Sequence, residues 1–318
     1  MDYSVFFDQT LTKLGFDLHP VYNCYDMGYD PEAGWPLKLP EFDPKPNSLL
    51  LLHFQDFFTN RDGRVVELDR VAEHYGKHAN QVVVTYWNHG LHYNGPVNTI
   101  EFSNHNYDLA LALHHRWAEW KHITEMPRTK AWQCLNGRMC PHRRRAVDVL
   151  KHWPNGVLSY GDEIALPEWA YSTYRGTEND DNFIRLADVY GSCAVNIVTE
   201  TEYNTSPGII SEKTLMAFAA GQIPIVIGHS GAVQHCKELG FDMFDDLVDT
   251  SYDVLHNESR LEQALLRNRD LIQGNVDLAP YQERLRRNRE YLLDDFPTWM
   301  ELRFKRDCER LARDLLPL

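Results

Sequence analysis

The stretch Ile209–Gly228 does more than any other to limit what this chain can become. Ser211 suits a helix N-cap, because its hydroxyl can accept an N–H from the first turn. Glu212 follows where the helix dipole favours an anion. Gly221 stands just past the last apolar residue, the usual place for a left-handed C′ residue, and Pro224 comes too late to disturb the helix. Leu215, Met216, Phe218, Ala219 and Ala220 make the helix apolar nearly all round, so burial is expected. Ile223, Ile225, Val226 and Ile227 form an unbroken apolar run, the pattern of a parallel strand covered on both faces. Such a strand needs helices on each side, which points to an α/β fold.

Further strands are expected at 49–54, 81–87, 97–102, 107–114, 131–135, 156–160 and 193–199, with helices at 65–75, 146–152 and 233–239. Three more amphipathic helices follow at 261–272, 281–293 and 299–315. Residues 1–47, rich in Tyr and Pro, read as loops and short elements. With 318 residues, 43% of them hydrophobic, there is enough chain for two cores. Glu125–Lys130 reads as a linker, dividing an N-terminal domain (1–126) from a C-terminal domain (127–295). The last helix (296–318) is expected to cross back to the first domain. The fold class expected is therefore α/β, with two doubly wound Rossmann-like domains facing a cleft.

The net charge of −14 argues against a general nucleic-acid or anionic-membrane surface. The six cysteines contain no Cys-x-x-Cys and suit a reducing compartment. Neither an 18-residue apolar run nor a secretory leader pattern is present, so a cytoplasmic protein with no transmembrane segment is expected. Among the 15 histidines no His-x-x-x-His helix or His/carboxylate triad stands out, so no metal or other cofactor is expected.

Functional side chains gather in loops after the strands, where open α/β sheets bind ligands. Asp56, His89 and Glu101 each follow an expected strand of the first domain. Glu200, Glu202, Tyr203 and Asn204 follow the strand at 193–199. Arg138, Arg143, Arg144 and Arg145 form the densest positive cluster of an acidic chain, at a strand–loop–helix junction that suits a pyrophosphate. Glu212 and Lys213 have two readings: an acceptor for ribose hydroxyls beside a cation for a phosphate, or a solvated pair on a capped surface helix.

The residues Ser211-Glu212-Lys213, with Ala220-Gly221-Gln222-Ile223-Pro224, resemble the donor-site motif of the α1,3-fucosyltransferase family. There a Thr-Glu-Lys-Leu helix precedes an Ala-Gly-x-(Ile/Val)-Pro strand. The likeness covers about twenty residues closely and roughly Lys130 to Tyr252 loosely. It implies a glycosyltransferase B-type fold. It also implies inverting, metal-independent transfer of a sugar, fucose in the family, from a nucleoside diphosphate sugar, GDP-linked in the family, to a glycan hydroxyl. By the same resemblance Ser211, Glu212, Lys213, Arg143 and Arg138, with Tyr203 and Asn204, hold the donor. Arg143 keeps the family's seven-residue spacing to Leu150. Glu202, or Glu200 if the register shifts, faces the charge developing at the anomeric carbon or holds the base or the sugar. The base is one of Glu101, Asp56 and His89. Two alternatives stand beside this reading. One is a phage-type transferase acting on modified DNA bases, which a basic cleft including Arg116 and Arg128 would favour. The other is a nucleotide-sugar-binding protein without catalysis.

Overall fold

The computed structural model describes residues 9–23, 39–53, 66–86, 93–170, 185–201, 203–204 and 209–315. The protein is α/β, with two four-stranded parallel sheets. Two compact units divide the chain: Met1–Asp108 with Pro297–Leu318, and Leu109–Asn204 with Gly208–Phe296. Glu125–Lys130 lies within the second.

In the first unit β1 (Asp17–Asn23), β2 (Ser48–His53), β3 (Val82–Tyr86) and β4 (Asn98–Glu101) lie side by side in chain order. Leu50, Leu52, Val82 and Val84 pack with Leu68, Val71 and Tyr75 of α1 (Val66–Tyr75). β1 is a strand where loops were expected. Pro20 hides it, because proline cannot donate to a ladder, but β1 is an edge strand and its pairing slips between His19 and Tyr22. α2 (Asn104–His115) replaces the strand expected at 107–114. Its core is Leu and Ala with no β-branched residue, a composition that favours helix. Ser103 begins the turn, accepting the Asn106 amide on its hydroxyl at 3.3 Å.

The second unit opens with β5 (Lys130–Asn136), α3 (Pro141–Leu150), β6 (Gly156–Tyr160), α4 (Ala187–Ser192) and β7 (Cys193–Thr199). It continues with α5 (Glu212–Ala219), β8 (Ile223–Ile227), α6 (Ala232–Glu238), α7 (Asn257–Arg267) and α8 (Gln282–Glu290). A π-turn (Tyr291–Asp295) then joins α8 to α9 (Phe296–Leu315). The strand order is β6-β5-β7-β8, so the winding reverses between β5 and β7. All five residues of β8 are buried, as its unbroken apolar run requires. Each such side chain contributes about 1.5–3 kcal/mol of apolar burial.

α5 is buried along its length, from Thr214 to Ala219, and its dipole is met at both ends. At its C-terminus Gly221 takes a left-handed φ of 62°. There the Arg128 guanidinium donates to the carbonyls of Tyr190 (2.6 Å), Gly191 (2.8 Å) and Ala220 (2.5 Å). Burial pulls the Arg128 guanidinium down to about 10. Arg128 thus ties the ends of two helices together, and Arg116 is paired with Glu119 at 2.9 Å.

α9 packs within the first unit. Phe304 lies against Phe102 with ring centroids 5.4 Å apart, and Glu301 accepts the Tyr107 hydroxyl at 2.5 Å. Among the described residues no helix is long and apolar enough to cross a membrane.

Candidate functional site at the carboxyl edge of the second sheet

A reversal of strand order leaves a crevice at the carboxyl ends of the two strands that flank it. Here those strands are β5 and β7, and three loops meet at their ends. After β5 the chain runs through Gly137–Cys140 and enters α3 at Pro141. Cys140 is extended (φ −130°, ψ 153°) and makes no side-chain cap among the described residues, and Pro141, which has no N–H, opens the helix. After β7 comes Glu200–Asn204, and after β8 comes Gly228–Gly231.

Arg143, in the first turn of α3, is 1% exposed. Its guanidinium spans the reversal, donating to the carbonyl of Thr199 (2.9 and 3.1 Å), the hydroxyl of Thr201 (3.0 Å) and the carbonyl of Arg138 (3.1 Å). No carboxylate pairs with it among the described residues. Thr199 in turn donates its hydroxyl to Asn136 Oδ1, closing β7 onto β5. The resemblance puts Arg143 directly on a donor phosphate, but four of its hydrogen bonds are already spent inside the fold. It ties the loop after β5 to the end of β7 and leaves a buried cation at the reversal of strand order.

His142 is buried beside it. Its Nε2 donates to the Glu200 carbonyl at 2.8 Å, and its ring stacks on Tyr203 with centroids 4.6 Å apart and 7° between planes. Arg260 of α7 covers Tyr203 at 5.2 Å and donates to the carbonyls of Tyr203, Gly228 and Leu255. Tyr203, expected at the donor, is therefore a buried spacer whose hydroxyl is bound to the Asn257 carbonyl. Burial, with Arg143 adding to it, lowers the His142 imidazole from its usual 6.5 to about 4. The unfolded chain thus takes up this proton at a higher pH than the native one, and stability falls as pH drops from about 6.5 to about 4. Urea unfolding across that range, compared with His142→Gln, is expected to show a shallower loss in the variant.

Glu200 is fully buried. Its carboxylate accepts the Ser211 amide at 3.0 Å, the Thr214 hydroxyl at 2.6 Å and the Ser211 hydroxyl. It therefore does not face a ligand, as was expected if Glu200 took the anomeric role. The donors of Ser211, expected to meet a diphosphate, turn inward to Glu200 for the same reason. Asp253 treats the next helix alike, accepting the amides of Val233 and Gln234 at 3.1 Å each.

What stays at the surface is Arg138, Asn204, Glu212 and Lys213. Arg138 and Asn204 are exposed, and the Arg138 guanidinium has no partner among the described residues. Lys213 lies 2.7 Å from Glu212, its side chain 24% exposed. A pair of this kind contributes only about 0–1 kcal/mol, so a ligand phosphate can displace it. Arg144 and Arg145 are committed elsewhere, to Glu163 and Glu262.

In the first unit Glu101 is bound to Arg303 of α9 at 3.1 Å. Asp56, His89 and Glu202 lie outside the described residues. Sequence reasoning missed His142, Arg260 and Asn136. His142 had one visible signal, its place beside Arg143 at a helix start; Arg260 looked like any charge on an amphipathic helix. Among the described residues no group of three or more His, Cys, Asp or Glu is placed to hold a metal ion.

The site belongs to the class of parallel α/β sheets with basic loops at a point of strand reversal. Comparison with protein-family models, with curated proteins and with solved structures finds no match for this chain.

Proposed function

We propose that this protein is an inverting glycosyltransferase that uses a nucleoside diphosphate sugar, GDP-linked by resemblance, and a hydroxyl acceptor on a glycan. One observation carries the reading: Arg138, exposed in the loop after β5, and Lys213, half-buried in the first turn of α5, both follow the carboxyl ends of the two strands that flank the reversal of strand order. The Ser-Glu-Lys and Ala-Gly-Gln-Ile-Pro segments lend it the motif. The finer fold assignment, a glycosyltransferase B-type pair of domains, belongs to the same proposal.

Breaking the glycosidic bond puts negative charge on the departing diphosphate. Lys213 and Arg138 meet that charge as it grows, with the buried Arg143 cation at the same reversal of strand order. The N-terminal end of α3 adds its dipole to the positive field. Glu212, released from Lys213, becomes an acceptor for ribose hydroxyls. The acceptor hydroxyl loses its proton to Glu101, Asp56 or His89 as it attacks the anomeric carbon. Of these, Glu101 must first give up Arg303.

A thermal-shift panel of GDP-, UDP-, ADP-, CMP- and dTDP-linked compounds tests the proposal. Ligand at a hundredfold excess over its dissociation constant stabilises by about 2.7 kcal/mol, and GDP compounds are expected to give the largest rise. A panel with no rise overturns the reading. Lys213→Ala is expected to reduce turnover of the donor at least tenfold, measured as nucleotide released; unchanged turnover removes Lys213 from the mechanism.

A further inference from the structure

The start of α5 already holds an anion of the protein's own. The Glu200 carboxylate takes both donors of Ser211 and the hydroxyl of Thr214. Its backbone is fixed on two sides, the amide donating to the Ile227 carbonyl at 2.9 Å and the carbonyl accepting from His142 at 2.8 Å. Gly228 presses against it: a Cβ there would stand 3.2 Å from the Cβ of Glu200. The side chain has no exposed surface. A phosphate brought onto the Ser211 amide would meet this carboxylate as a like charge.

From this geometry we infer that Glu200 is a positioning residue of the donor site, an inference that rests on the function proposed above. Its charge occupies the positive end of α5 and locks the first turn, so that Glu212 and Lys213, the next two residues, leave the helix at fixed points of the carboxyl edge. The diphosphate of a nucleoside diphosphate is then met by the Lys213 side chain and not by the amides of α5. This differs from the usual use of a helix start, in which backbone N–H groups take the phosphate directly.

The test uses the full chain, with GDP and inorganic pyrophosphate as probes in titration calorimetry and hydrogen exchange over residues 209–216. Glu200→Gln keeps the shape and removes the charge; Glu200→Asp keeps the charge on a shorter arm. Glu200→Gln is expected to weaken GDP binding at least tenfold and to speed exchange at the Lys213 and Thr214 amides, with Glu200→Asp recovering part of the affinity. Tighter binding in Glu200→Gln would overturn the inference, because it would mean the carboxylate merely blocks the amides. Unchanged binding would overturn it too, by leaving Glu200 a purely structural role. Failure of the proposed function has a different signature: the unaltered protein then binds neither probe. The exchange comparison still decides the anchoring in that case, and unchanged exchange in Glu200→Gln refutes it.

Discussion

Arg143→Met is expected to cost the second unit about 3–5 kcal/mol, and to abolish binding of pyrophosphate in whatever fraction stays folded. The size follows from what the guanidinium holds. It supplies donors to the carbonyls of Thr199 and Arg138 and to the hydroxyl of Thr201. Each acceptor sits at the junction of β5, β7 and α3, and each buried one left without a donor costs about 1–3 kcal/mol. Methionine fills much of the same volume, so the loss is not that of a cavity. A second effect is electrostatic, since the variant removes a buried cation from the junction of β5, β7 and α3. Arg143→Lys separates the two. It restores the charge but offers a single point of donation in place of a planar fork, so it is expected to recover less stability than binding. Urea unfolding followed by far-UV circular dichroism measures the first, and calorimetric titration with pyrophosphate the second. Full stability in Arg143→Met would mean that the loops after β5 and β7 hold together without it.

The parts of this site differ in how far the sequence discloses them, for physical reasons. α5 and β8 were readable because a strand covered on both faces must be apolar throughout, and 223–227 is apolar at every position. Likewise the Ser211 cap is local: its hydroxyl does accept the Lys213 amide, at 3.4 Å. The seven-residue spacing to Leu150 singled out Arg143, but the helix was expected only from Ala146, whereas α3 begins at Pro141, and the spacing did not disclose what Arg143 does. A residue's position on a helix says nothing about which distant carbonyls consume its donors, and Thr199 is 56 residues away. The same limit hid Glu200. Its partners lie 11 and 14 residues on, across a loop, so an anion that seemed to await a substrate proved to be an internal cap. Between β1 and α2 the errors were of another kind. Tyr107–His114 was read as a strand from its hydrophobicity alone, although Leu and Ala with no β-branched residue favour helix. β1 escaped notice because Pro20 argues against a central strand but permits an edge one.

Gly156→Ala is expected to destabilise the second unit by about 3 kcal/mol and to leave affinity for GDP unchanged. Gly156 opens β6 opposite Trp132 of β5, and a Cβ there would stand 1.9 Å from Cε2 of the indole. Trp132 is 1% exposed, and its Nε1–H donates to the Pro154 carbonyl at 3.1 Å, so the ring cannot swing aside without losing that bond. The strand must therefore shift, or the indole must leave its rotamer. The position also decides why binding is spared. Gly156 is the first residue of β6, at the amino end of the strand, while the loop that carries Arg138 and the helix start that carries Lys213 follow the carboxyl ends. For a unit of this size 3 kcal/mol lowers the unfolding midpoint by roughly 6–12 °C, which calorimetry resolves easily. Trp132→Leu in the Gly156→Ala background removes the clashing ring. If the indole causes the loss, the second substitution costs far less there than in the unaltered protein; equal costs in both backgrounds would show that the strain arises elsewhere.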